Sequence, residues 1–153
     1  MSKKVLISSC LLGENVKYDG GNNYISQNPF IEKLKSQNLI VPTCPEVEGG
    51  LPIPRVVVEI KDAKAINKNG VDKTKEFEKG AQKAFGKVKL FDIKMAIMKS
   101  KSPSCGRDFI YDGSFTKKLI EGDGVSVKLL KMGGIRIFTE NEITEAREFW
   151  EKL

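Results

Sequence analysis

The sequence predicts an α/β fold: a three-layer sandwich around a mainly parallel, Rossmann-like sheet. Three observations carry this reading. Short apolar runs recur at 4–9, 38–43, 92–100 and 134–139, each of strand length. Segments with apolar residues at helical spacing separate them, as βαβ units require. The 153 residues suit one domain, 1–153, around one core, with no internal repeat or low-complexity stretch.

The elements follow in order. "KVLISS" (4–9) is the first strand, ending in serines. Asn28 and Pro29 read as N-cap and first helical residue, with Phe30, Ile31 and Leu34 on one face through about Gln37. "NLIVPT" (38–43) is the second strand. "CPEVEGGLPIPR" (44–55) reads as a rigid loop, with three prolines and two glycines in twelve residues. "VVVEI" (56–60) is rich in β-branched residues, and Asn69-Gly70 signals a turn; 45–72 is an excursion from the sheet. Thr74 is a candidate N-cap for a helix bearing Phe77, Ala81, Ala84 and Phe85. "DIKMAIMKS" (92–100) is the third strand. "GDGVSVKLLKMGG" is a short helix closed by glycines, and "GIRIFT" (134–139) the fourth strand. Thr139 and Glu142 spell a capping box for a last helix with Ile143, Ala146, Phe149 and Trp150 on its core face.

Composition excludes several function classes. No stretch approaches the roughly 18–20 apolar residues of a membrane span. The N-terminal run is broken by Ser8 and Ser9 and lacks a cleavage site, so it reads as a strand rather than a signal peptide, and a cytoplasmic protein is expected. Histidine is absent, which removes the commonest general base and every Ser/His/Asp or Cys/His arrangement. The +6 charge, from 26 basic and 20 acidic residues, reads as a lysine-rich solvated surface. A nucleic-acid footprint is the less favoured reading, because no basic run is interleaved with aromatics.

Three cysteines, an odd number, argue against a disulfide framework. Cys10 and Cys44 directly follow strands; Cys105 lies five residues past one. Strand C-termini of a parallel sheet share one edge, where crevices form. Cysteines far apart in sequence are therefore expected to meet as a three-thiolate metal site. No CxxC pair exists, so a zinc ribbon is excluded. Soft thiolates suit zinc or an iron–sulfur cluster, and a cluster on three thiolates keeps one iron open; spacing leaves the two alternatives unresolved.

Nearby residues complete the candidate site. Glu46 follows Cys44 through a rigid proline and is a candidate general base or acid; Glu48 competes. Arg55 is a candidate for binding an anion or carbonyl, or for pairing with a surface carboxylate. Ser102 and Ser104 offer hydroxyls, and Gly106 permits close approach of backbone. Lys99, Lys101 and Arg107 would offset negative charge. Ser8, Ser9 and the Tyr18-Asp19-Gly20-Gly21 turn are candidates for a substrate wall, with Ser9 and Asp19 foremost.

Three blocks, "SSCLLGENVKYDGG", "CPEVEGGLPIPR" and "KSKSPSCG", resemble those of the thiouracil desulfidase family, over nearly the whole chain. The resemblance implies a compact α/β domain with a 4Fe–4S cluster on Cys10, Cys44 and Cys105 and one open iron. It implies Glu46 and Ser102 as catalytic residues. It also implies non-redox desulfuration of a small thiolated pyrimidine, free or as a nucleotide: the open iron captures the sulfur while water attacks the carbon. A zinc-dependent hydrolase on the same cysteines and an RNA-binding module are the alternatives. Oligomeric state is not legible.

Overall fold

The computed structural model describes residues 3–153; Met1 and Ser2, the start of the expected 1–153 domain, lie outside them. Four strands form the main sheet: β1 (Val5–Ser8), β2 (Ile40–Thr43), β5 (Met95–Met98) and β8 (Arg136–Thr139). All pair in parallel, in the order β2-β1-β5-β8. The chain steps from β1 to β2 on one side and then returns to β5 on the other. The reversal lies between β1 and β5, where open parallel sheets place their ligand crevice.

Alternation along each strand feeds two apolar layers. Val5, Ile7, Met95, Ile97 and Phe138 pack under α1 (Pro29–Ser36) and α5 (Ile143–Glu151). Leu6, Ala96, Met98 and Ile137 pack under α3 (Thr74–Leu90) and α4 (Val125–Met132). This is the expected three-layer sandwich. Every residue of β1 and β5 is buried, as in central strands covered on both faces. Each large aliphatic side chain there contributes about 1.5–3 kcal/mol of burial, so the strand ends form a rigid platform. No helix among the described residues is long and apolar enough to cross a membrane.

The expected helices form, and the starts of α3 and α5 are corrected. Asn28 caps α1, its side chain accepting from the Phe30 and Ile31 amides at 3.0 and 3.2 Å. Thr74 is not an N-cap: it is the first residue of α3, and its hydroxyl accepts from the Ala65 amide at 3.0 Å. The Asp72 carboxylate instead accepts from the Thr74 amide at 2.8 Å. Glu142 does reach back to the Thr139 amide at 2.9 Å, one half of a capping box, but α5 begins only at Ile143.

The excursion is more regular than expected. Pro45–Glu48 forms a one-turn helix, α2, with Cys44 as its N-cap. β3 (Val58–Lys61) and β4 (Lys64–Asn67) make an antiparallel hairpin. Its turn is Asp62-Ala63, with φ of 51° and 63°. Both central residues take positive φ, as a type I′ turn demands; alanine carries no such signal, which hid the turn. A second hairpin, β6 (Phe109–Tyr111) and β7 (Leu119–Glu121), is only three residues a side, too short for a periodic pattern.

α2 is seated directly on α3. A Cβ at Gly80 would lie 1.9 Å from the Pro45 carbonyl oxygen, and one at Gly49 would lie 1.9 Å from that of Glu76. Two glycines thus let backbone meet backbone, which fixes the turn bearing Cys44 and Glu46.

Candidate functional site

The three cysteines border one cavity of about 280 Å³ at the C-terminal sheet edge. That is just under the roughly 300–1,000 Å³ of drug-sized sites. Cys10 enters from a 3₁₀ turn, Ser9–Leu12, directly after β1. Cys44 enters from the start of α2, and Cys105 from the loop after β5. Apolar wall comes from Val16, Val57 and Pro103, with the rings of Tyr18 and Tyr111.

The Ser104 hydroxyl lies 3.5 Å from Cys105 Sγ, and polar groups of Asn23, Val47 and Ser8 near the Cys10, Cys44 and Cys105 sulfurs favour their thiolates. Burial outweighs these groups and pushes all three thiols up, Cys105 to about 12. Such thiols ionise only against a compensating cation. None of the three forms a disulfide. Among the described residues, no three His, Cys, Asp or Glu side chains converge tightly enough to hold a single metal ion. Three soft thiols around one shared space suit a thiophilic metal or an iron–sulfur core.

The loops are held from outside the cavity. Glu48 clamps the Cys44 turn: one carboxylate oxygen accepts from the Thr43 hydroxyl at 2.8 Å and the Cys44 amide at 2.9 Å. The other pairs with Lys87 at 2.6 Å. This carboxylate is an anchor, and Glu46 alone of the two lines the cavity. Ser102 folds the third block, its Oγ accepting from the Ser104 and Cys105 amides at 3.2 and 3.1 Å. The start of α4 completes it: the Val125 and Ser126 amides donate to the Pro103 and Ser104 carbonyls, both at 2.9 Å. A Cβ at Gly106 would lie 2.6 Å from the Ser102 carbonyl oxygen, and one at Gly124 would lie 2.4 Å from the Ser104 carbonyl carbon.

Glu46 is gripped at both oxygens. Oε1 accepts from Arg55 Nε at 3.2 Å, and Oε2 from Ser104 Oγ at 3.1 Å. The Arg55 side chain is only 5% exposed. Its remaining nitrogens donate to the Val16 and Pro52 carbonyls at 2.9 and 3.2 Å. Arg55 pairs with a carboxylate, but with Glu46 in the cavity lining rather than with one at the surface. Ser102 lines the cavity and meets Glu46 only through Ser104, whose Oγ is 3.2 Å from its own.

The other sequence candidates divide. Ser8, Ser9, Lys99 and Lys101 line the cavity. Lys99 is tied to Glu140 at 2.8 Å, and Glu140 also accepts from the Ser100 amide at 2.8 Å. Asp19 lies outside the cavity lining; its Oδ1 accepts from the Gly21 amide at 2.9 Å, a turn-forming role. Arg107 is also outside, donating to the Ile137 carbonyl and paired with Glu142, so it does not neutralise charge at the sulfurs. Residues that the sequence reading missed include Asn23 and Tyr111 in the wall, Gly124 behind Cys105, and Glu140 behind Lys99. Asn23 is thirteen residues from Cys10, and nothing in the local pattern marks it.

Comparison with known proteins gives three concordant matches. A family model described as 2-thiouracil desulfurase matches residues 5–142. The uncharacterized protein YbbK of Bacillus subtilis (strain 168) is 36% identical, over 92% of this chain and 98% of its own. A solved structure titled 4Fe-4S-dependent thiouracil desulfidase TudS superposes with a TM-score of 0.95 at 35% identity, covering 98% of this chain and 99% of that one.

Proposed function

Because this chain belongs to the 2-thiouracil desulfurase family, we propose that it uses a 4Fe–4S cluster to desulfurise a small thiolated pyrimidine, free or as a nucleotide. Cys10, Cys44 and Cys105 would hold the cluster. The observation that carries this reading is their arrangement around one cavity that Glu46 also lines. The similarity to a structure titled 4Fe-4S-dependent thiouracil desulfidase, at 35% identity over 98% of this chain, supports the cluster over the zinc alternative. Three unpaired thiols also suit the reducing cytoplasm, where we place the protein.

When bound, the cluster supplies a Lewis-acidic iron without a protein ligand, which polarises the C=S bond. The chain's own residues do the rest. The apolar walls and the two tyrosines hold the ring and limit bulk water. Glu46, fixed by Arg55 and Ser104, accepts a proton from the attacking water. The Ser102 oxygen is already occupied by two amide donors, so its O–H proton is left to donate, to Ser104 at rest and to that water when it is bound. Thiocarbonyl plus water gives carbonyl plus hydrogen sulfide, with no net electron transfer.

The test is anaerobic reconstitution with iron and sulfide, followed by 2-thiouracil and 4-thiouracil in an absorbance assay. The expected result is loss of the thiocarbonyl band with uracil and sulfide formed in equal amounts. Full cluster content with neither thiouracil consumed would refute the reading.

A further inference from the structure

We infer that Ser104 is a positioning residue for desulfuration, the buried link that holds Glu46 and Ser102 as one unit. This deepens the functional reading above and rests on it. Ser104 is only 1% exposed, yet its hydroxyl touches three groups of the site. It lies 3.1 Å from Glu46 Oε2, 3.2 Å from Ser102 Oγ and 3.5 Å from Cys105 Sγ.

One hydroxyl carries one proton, so the three contacts compete. The carboxylate is the strongest acceptor at the shortest distance and takes it. Ser104 Oγ is then left to accept from Ser102. The result is a directional chain, Ser102 O–H to Ser104 O–H to Glu46. With the Ser102 oxygen filled by the Ser104 and Cys105 amides, its proton has two outlets, Ser104 or a water in the cavity. Ser104 therefore sets the resting direction of Ser102 and the plane of the Glu46 carboxylate together.

The loop does not need this hydroxyl to fold. The Ser104 amide is bound by Ser102, and its carbonyl by the Ser126 and Val127 amides at 2.9 and 3.3 Å. Backbone contacts therefore keep the block in place when the oxygen is removed. What Ser104→Ala removes is the inner donor to Glu46, leaving Arg55 as the only remaining protein grip on that carboxylate among the described residues. Rotation about the Arg55 contact then swings Oε2 off the water.

The experiment compares cluster-loaded wild type and Ser104→Ala by anaerobic crystallography, iron content, visible spectrum and steady-state kinetics. Glu46 is expected to rotate in the variant while Cys105 stays in place and iron content and spectrum are unchanged. A catalytic group misplaced by about 1 Å costs about 100-fold in rate, so kcat is expected to fall by that order with KM unchanged. Three results would overturn the inference: Glu46 unmoved in the variant, kcat retained at full iron, or iron lost, the last assigning the hydroxyl to Cys105. If loaded wild type is itself inactive on thiouracils, the functional reading fails separately, and the position of Glu46 still decides the role of Ser104.

Discussion

Cys105→Ala is expected to abolish the cluster and desulfuration together while leaving the fold standing. Cys105 is 5% exposed and packs in the apolar layer with Val127 and Leu130. Removing its sulfur forfeits a buried group of roughly methylene size, worth about 1 kcal/mol. A domain with about 5–15 kcal/mol of stability survives that. The loop is also pinned by Ser102, Gly106 and the start of α4, none of which requires the sulfur. Iron analysis, visible absorbance and circular dichroism on one sample separate the outcomes. Native dichroism, no visible cluster band and no turnover are expected. Retained cluster and activity would remove Cys105 from the proposed ligand set.

Glu46→Gln is expected to keep the cluster and lose about 10²–10⁴ of turnover, the span of general acid–base contributions. The replacement is nearly isosteric. Its carbonyl oxygen can still accept from Arg55 and its amide can donate to Ser104 Oγ, so the contacts at 3.2 and 3.1 Å have substitutes. What disappears is the capacity to take a proton from water. Single-turnover kinetics on loaded protein should show normal thiouracil binding and a slow chemical step. Loss of iron in this variant would instead make Glu46 a ligand, and unchanged turnover would remove it from the chemistry.

Much of this site was legible because it depends on strand ends, which an apolar run announces. Cys10, Cys44 and Cys105 each follow such a run, and parallel strands bring those ends to one edge. Glu46 was legible through the proline that ties it to Cys44. Arg107 shows the limit of that logic. It is two residues from Cys105, yet its guanidinium turns to Glu142 and the Ile137 carbonyl, because nearness in sequence does not fix side-chain direction in a loop. Asp19 likewise spends its carboxylate on its own turn.

The residues that were missed act over long range. Gly124 opens α4, and its lack of a side chain matters only because the Ser104–Cys105 peptide presses against it. Ser104 was legible as a hydroxyl of the site, but its contact with Glu46, which spans 58 positions, was not. The Asp62-Ala63 hairpin was hidden because alanine seldom takes positive φ, and here the paired strands impose it.

Metal analysis of protein purified and reconstituted without oxygen bears most directly on the nature of the centre. The account expects four iron and four acid-labile sulfide per chain, the composition named for the TudS relative, with a Mössbauer spectrum in which one iron differs from the other three. One tightly bound zinc per chain, with no sulfide and with thiouracil turnover intact, would contradict it.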